Sequence, residues 1–158
     1  LLLTLKVETM EIPMPIESFT ITIDDLYNNG ATLGIMWENT YVGVDFVVPT
    51  VDKAMKSIQE TMANKEDLQA NDYFAAGSYY FSEGVNIEQA KEWVDKAVEM
   101  DGGKAYWMMR TQSLIYAKMG DKKEAIAAAK RSLAAAQAAG NQDYVKMNKD
   151  SLKEWAKM

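Results

Sequence analysis

The chain of 158 residues contains no cysteine and no histidine. Without histidine it lacks the side chain that most often acts as a general acid or base near neutral pH and most often binds zinc. The two absences together exclude Ser–His–Asp and Cys–His catalysis within this chain. We therefore expect a protein that is not an enzyme, with no catalytic residues, no metal site and no cofactor.

Long apolar runs and basic stripes are also missing. No run of about 18 apolar residues is present, so we expect no transmembrane segment. The net charge of −6 arises in the first third: residues 1–50 carry one lysine and seven acidic residues, whereas residues 51–158 carry sixteen of each sign. No basic stripe can follow a phosphate backbone, so we expect no nucleic-acid partner.

Proline is scarce, and two of the three prolines fall in "EIPMPIE" at residues 11–17. Because proline is excluded from central strands, this stretch is predicted to be a linker. Apolar residues alternate with polar ones around it, and Asn29-Gly30 predicts a hairpin turn. Because a strand already starts at Leu1, we expect a larger β domain upstream. The predicted strands of this antiparallel meander are residues 1–10, 18–26, 32–37 and 41–48.

The alternation breaks at "WENT", residues 37–40. Short polar residues here favour a corner between the third and fourth strands. The alternative is a platform for a glycan or another small ligand, formed by Trp37, Glu38, Asn39 and Tyr41. A carboxylate pair such as Glu38 and Asp45 would be needed for glycoside hydrolysis, and nothing in the spacing demands it.

From residue 50 the apolar period changes from 2 to 3.6, which predicts about six helices. We place the domain boundary here, with a β segment at residues 1–49 and a helical domain at residues 50–158. Short polar residues mark the helix starts, and glycines mark several ends. The predicted N-caps are Thr50, Asn64, Asn86, Asp121 and Asn141.

The helices repeat with a period of 35 residues, because Ala90 and Ala125 occupy the same place in two successive hairpins. The pattern resembles the tetratricopeptide repeat, in which a large residue, a pair of small residues, an aromatic residue, a glycine and an alanine follow one another in this order. The sixth helix would start a third unit or cap the array. The matching positions are Tyr73, Ala76, Gly77, Tyr80, Gly84 and Ala90, then Met109, Gln112, Ser113, Tyr116, Gly120 and Ala125.

Such repeats bind extended segments along the surface of each first helix, which implies a protein or peptide partner. By repeat position, the partner-binding residues would be Asn71, Phe74, Phe81, Trp107 and Arg110. Asn71 and Arg110 would hold a backbone or carboxylate, and the aromatic rings would stack. Alternatively, the β segment or the first helix fills the groove, which would make these residues core.

Over nearly all its length the chain resembles the C-terminal half of a family of exported Bacteroidota proteins known as DUF 2911. The segments that carry the resemblance are "ESFTITIDD", "WENTYVGVDF" and "YYFSEGVNIEQAKEWVDKAVE". The family commonly has an arginine where this chain has Tyr41. The resemblance implies export, with a periplasmic location, and no established activity.

We thus predict an α+β protein: an N-terminal antiparallel β-meander, then a tetratricopeptide-like right-handed array of about six helices. The expected role is a non-catalytic protein-interaction or structural module of the bacterial cell envelope. The sequence specifies neither the partner nor the oligomeric state.

Overall fold

The computed structural model describes residues 3–157 and divides into two compact units, one up to Ser57 and one from Ile58 onward. The predicted order, antiparallel β structure followed by six helices, is confirmed. The predicted boundary at residue 49 marks the change from strand to helix, whereas the units divide within α1. The elements are β1 (Met10–Tyr27), β2 (Gly30–Val47), α1 (Thr50–Asn64), α2 (Ala70–Glu83), α3 (Ile87–Asp101), α4 (Tyr106–Lys118), α5 (Lys122–Ala138) and α6 (Gln142–Trp155).

Strand β2 reverses direction at the "WENT" corner. Thr32 Oγ1 donates a hydrogen bond of 2.6 Å to Asp45 Oδ1, although 13 positions separate the two residues. A straight strand of that length would hold them about 43 Å apart. Glu38, at the reversal, has a φ of 50° in the left-handed region. Strand β2 therefore consists of a first arm, residues 30–37, and a second arm, residues 40–47, joined by the predicted corner.

Strand β1 pairs with both arms of β2, and this changes the predicted strand plan. Residues 18–27 pair with the first arm, whereas Met10 and Glu11 pair with the second. The register shifts between Glu11 and Ile16, where the two prolines of the predicted linker lie, so that stretch runs around the corner as an irregular part of β1. The predicted first strand is wrong for residues 3–9, which form no strand. Leu1 and Leu2 lie outside the described residues.

The predicted hairpin turn is present but lies one residue earlier than expected. Tyr27 pairs with Gly30, so Asn28 and Asn29 form the turn. Gly30 does not have a positive φ. A Cβ atom there would lie 2.5 Å from the backbone oxygen of Phe46 and would also meet the ring of Tyr27, so this glycine is required by close packing and not by backbone conformation.

The two faces of the sheet differ in chemistry. Thr22 and Gly34 are paired across the strands, and a Cβ on Gly34 would meet Thr22, Asp24 and the ring of Tyr41. These residues, with Thr32 and Asp45, mark a polar face. Because side chains alternate along each arm, the residues between them share the other face. We call this the apolar sheet face: Phe19, Ile21, Ile23, Leu33, Ile35, Trp37, Val42, Val44 and Phe46.

The helical unit is built from packed hairpins. Helix α2 packs on α3, and α4 packs on α5, while α4 also contacts both α2 and α6. Helices α2, α4 and α6 therefore line one side of the unit. The outward surface of α6 is charged, with an ion pair of 2.8 Å between Lys146 and Asp150. Such a polar surface is typical of a capping helix, one of the two predicted roles of α6.

Three of the predicted N-caps form as expected. Asn86, Asp121 and Asn141 each accept a hydrogen bond from the backbone N–H three residues later. The Asn64 prediction is wrong, because α1 continues through that residue and its side chain donates to Glu60 O. Helix α2 begins instead after Gln69, where Gln69 and Asp72 form a capping box.

Gly77 allows α2 and α3 to approach closely. A Cβ atom at this position would lie 2.7 Å from Val94 Cγ2 and 2.9 Å from the carbonyl oxygen of Ala90. Ala90 and Val94 are completely buried, so neither can move aside into solvent. The small residue at this repeat position is thus a steric requirement of the helix pair.

We expect Gly77→Ala to lower the free energy of unfolding by about 1–3 kcal/mol, because overpacking outweighs the gain of about 0.5–1 kcal/mol in helix propensity. Urea denaturation followed by far-UV circular dichroism measures the change. Ala75→Gly, at an exposed position of the same helix, reports the propensity contribution alone. Stabilisation by Gly77→Ala would show that the two helices do not approach as described.

Candidate functional site

The residues predicted to bind a partner lie on α2 and α4, which contact each other. On α2, Asn71 is exposed, while Phe74 and Phe81 are half-buried. On α4, Trp107 is 41% exposed and Arg110 is half-buried. None of these five side chains is part of the fully buried core. The surface along α2, α4 and α6 is therefore accessible at each of them.

Arg110 has an unusual environment for a cation. Its Nη1 donates a hydrogen bond of 3.0 Å to Ser151 Oγ on α6. Within residues 3–157 it forms no ion pair with a carboxylate. Burial lowers the pKa of the guanidinium from its ordinary value, yet arginine stays protonated at neutral pH. Arg110 is thus a partly desolvated charge whose protein partner is neutral.

An aromatic group adjoins Arg110. The ring of Tyr106 packs edge-on against Trp107, with ring centroids 5.0 Å apart, and against Tyr144 of α6 at 4.8 Å. Asn141 Nδ2 donates to Tyr106 Oη at 3.1 Å, which fixes the central ring. Tyr106, itself held by Tyr144 and Asn141, thus supports one side of the Trp107 ring and leaves the rest of that ring exposed.

At the other end of α4, Lys118 adds a second cation. Its Nζ lies 5.4 Å from the centroid of the Phe81 ring, a cation–π distance. Phe81 is thereby covered in part by a charged side chain, while Asn71 and Phe74 occupy the first half of α2. Trp107 and Arg110 thus lie in the first half of α4, whereas Phe81 contacts its far end, and all five residues belong to the neighbouring helices α2 and α4.

Sequence reasoning missed two members of this group, Tyr144 and Ser151, because it assigned no site residues to α6. The available signal was the repeat itself. Positions 35 residues beyond Met109 and Tyr116 are Tyr144 and Ser151. Extending the period once more therefore places both residues at repeat positions of α6, although it does not mark them as site residues.

A polar network lies in a different part of the helical unit, centred on Asp95 of α3. Its carboxylate accepts hydrogen bonds from Lys91 (2.8 Å), Gln112 (2.7 Å) and Tyr116 (2.8 Å). Arg131 in turn donates to Gln112 Oε1 at 2.9 Å. A cleft of about 680 Å³ borders Asp95, Gln112 and Arg131. Since Asp95 has three donors, its carboxylate serves to join helices and is not free to act as a base.

The structure does not bring the predicted ligand residues of the sheet corner together. Trp37 belongs to the apolar sheet face, whereas the ring of Tyr41 lies on the polar face near Gly34. Asn39 Nδ2 donates to the carbonyl oxygen of Ile12 at 2.9 Å, which ties the corner to β1. A small ligand that contacted Trp37 from one face would not reach Tyr41.

No group of three or more acidic side chains among residues 3–157 is arranged to hold a metal ion. In the same range, no helix is long and apolar enough to cross a membrane.

No protein-family model matches this sequence, and no curated protein matches it. Solved structures with a similar fold include PcrH in complex with the chaperone binding region of PopD, with a TM-score of 0.56 and 20% identity over 66% of this chain and 77% of PcrH. MamA gives a TM-score of 0.52 and 17% identity over 69% of this chain, which spans 60% of the MamA chain. Both are tetratricopeptide-like helical repeat proteins, so the predicted helical arrangement is confirmed. Identities this low show the fold alone.

Burial, and then the hydrogen bond to Asp95, raise the pKa of Tyr116 above its ordinary value. We expect Tyr116 to ionise well above pH 10, where a free tyrosine ionises. The difference in absorbance near 295 nm between the wild type and Tyr116→Phe isolates this residue. Because the folded-state pKa is the higher one, stability is complete below about pH 10 and is lost as pH rises through that pKa.

Asp95→Asn serves as the comparison, because it removes the charge that opposes tyrosinate formation. The pH of half-ionisation should move back toward 10 in this variant. Ionisation of Tyr116 near pH 10 in the wild type would contradict the described network.

Proposed function

We propose that this protein is a non-catalytic interaction module that binds an extended peptide segment of another protein along α2, α4 and α6. The observation that carries the proposal is the half-buried Arg110 guanidinium, whose one hydrogen-bond partner in the described chain is the neutral Ser151. A partly desolvated cation without an anion is stabilised when a ligand supplies one. The segment should therefore carry a carboxylate, from an acidic residue or from its C-terminus.

Trp107 gives the second point of contact. Its exposed ring lies three residues before Arg110, on the same side of α4. Aromatic side chains at such positions contribute a large share of binding energy in protein interfaces, because they bury much area at low cost in conformational entropy. A partner residue with an apolar or cyclic side chain next to the carboxylate would cover this ring.

Other members of the surface supply weaker contacts. Asn71 can exchange hydrogen bonds with a peptide backbone, and the rings of Phe74 and Phe81 offer apolar area. Lys118 can turn from the Phe81 ring toward a second carboxylate, because the exposed cation–π contact is weak, at about 0.5–1 kcal/mol. The preferred segment is thus acidic at more than one position.

The fold comparison supports the same role. The PcrH structure contains a segment of another protein, the chaperone binding region of PopD. The absence of histidine and cysteine, together with the engagement of Asp95 by three donors, favours binding over catalysis. Placement in the cell envelope rests on the resemblance to the exported family; export of the intact gene product, measured by cell fractionation, tests it.

A random library of 12-residue peptides displayed on phage and selected against the purified protein tests the proposed function. We expect enrichment of peptides with Asp or Glu next to an apolar residue. Arg110→Gln should weaken the binding of the selected peptides about tenfold or more, since a charge-assisted hydrogen bond contributes roughly 1.5–3 kcal/mol. Trp107→Ala should weaken binding to a similar degree.

Lys146→Gln is the matched control, because it removes one positive charge from the outward surface of α6. This variant should bind the selected peptides as tightly as the wild type does. If Lys146→Gln and Arg110→Gln weaken peptide binding equally, the loss of affinity is due to net charge and not to a specific site. If the selected peptides bind Arg110→Gln and Trp107→Ala as tightly as they bind the wild type, the proposed site is refuted.

A further inference from the structure

The apolar sheet face is an exposed apolar surface of the β unit. Its aromatic and branched residues stay accessible: Phe19 is 63% exposed, Ile21 60%, Ile23 51% and Trp37 56%. From ordinary side-chain areas, the nine residues present roughly 500 Å² of apolar surface, near the upper limit for patches that monomers leave in water. This surface has no role in the proposed groove, which lies in the helical unit.

Two carboxylates of the β unit lie away from this face. Asp24 and Asp45 lie on the polar face, where Thr22 and Thr32 donate hydrogen bonds to them. Glu38 lies at the corner, with its backbone in the left-handed region. None of the nine residues of the apolar sheet face can ionise. Covering the face would therefore leave the carboxylates of Asp24 and Asp45 in contact with water.

We propose that the apolar sheet face packs against the same face of a second copy of this chain, forming a two-fold symmetric β-sandwich. Such a contact is self-complementary, because the same surface serves both partners. Two sheets packed in this way lie about 10 Å apart, with the side chains of both inner faces interdigitated. The proposal concerns the β unit alone and does not depend on the proposed function of the helices.

The net charge of −6 does not oppose this arrangement. The polar faces of the two sheets point away from each other, so the carboxylates of Asp24 and Asp45 in one copy lie about 20 Å from those in the other. That distance is roughly twice the screening length at physiological salt. A basic partner, in contrast, would find no anion on the face with which to pair.

The area buried in the proposed dimer also sets its expected affinity. Two faces of this size bury about 1,000 Å² in total, at the lower limit for a specific interface. A dimer of this size should be reversible, with a dissociation constant in the micromolar range. Added salt should strengthen it, because salt screens the remaining repulsion between acidic rims and favours apolar burial.

Sedimentation velocity on the full chain, from about 1 to about 200 µM and from about 0.05 to about 0.5 M NaCl, tests the proposal. We expect a monomer that converts to a dimer as protein and salt concentrations rise. Ile21→Lys should raise the dissociation constant at least tenfold. Thr20→Lys adds the same charge to the polar face, one residue away, and should leave the dissociation constant within about twofold.

Phe19→Ser removes apolar area without adding charge, and it should also weaken the dimer. The emission of Trp37, obtained as the difference between the wild type and Trp37→Phe, should shift to shorter wavelength as the dimer forms. A chain that stays monomeric throughout would overturn the proposal. So would a dimer that salt dissociates and that Ile21→Lys leaves intact, because that behaviour would assign the association to opposite charges elsewhere.

Discussion

Close approach between neighbouring helices is the constraint on which the helical unit depends. Small side chains lie at the contacts between helices, and four of them, Ala90, Ser113, Ala125 and Ser132, are completely buried. Gly77 completes the set at the contact of α2 with α3. In an interior packed this densely, a change in the size of one residue forces its neighbours to move. Because the hairpins pack closely, the first helix of each can contact the next, and Arg110 on α4 reaches Ser151 on α6.

Hydrogen bonds also connect α4, α5 and α6. They fix the rotation of each helix about its axis as well as the distance between the helices. Ser132 Oγ donates to the backbone oxygen of Tyr106 at 2.7 Å, and Asn148 Nδ2 donates to Ser132 Oγ at 2.9 Å. One serine thus links α4, α5 and α6. The ring of Tyr106 contacts both Trp107 and Tyr144, so this buried link also orients the aromatic part of the candidate site. Stability and binding geometry share one set of residues here.

Features that depend on a few neighbouring residues could be predicted from the sequence, whereas features that depend on distant residues could not. The caps at Asn86, Asp121 and Asn141 depend on three residues each, and they were predicted correctly. The corner at residues 37–40 was visible because alternation stops there. Asn64 carried the same local signal as the true caps, but α1 continued through it, which a local rule cannot detect. Alternation also predicted a strand at residues 3–9, yet a strand requires a neighbour to accept its hydrogen bonds.

The site was predictable only in part, for the same reason. Trp107 and Arg110 follow from the repeat period on α4. Their dependence on Tyr144 and Ser151 arises from contacts between helices far apart in sequence. Likewise, Gly30 was expected to serve a turn through its backbone freedom, whereas the backbone oxygen of Phe46 is what excludes a side chain there. Packing partners from distant segments decide such roles, and composition or spacing does not reveal them.

The charged outer surface of α6 has a consequence for how this molecule can change in length. In stacked repeats each unit contacts only its neighbours, so the terminal helix alone must be compatible with water. A duplicated copy of residues 106–140 inserted before Asn141 would meet the small residues of α4 and α5 on one side and α6 on the other. The array can thus gain a repeat by internal duplication while α6 stays unchanged, and each added unit would extend the candidate binding surface by one helix.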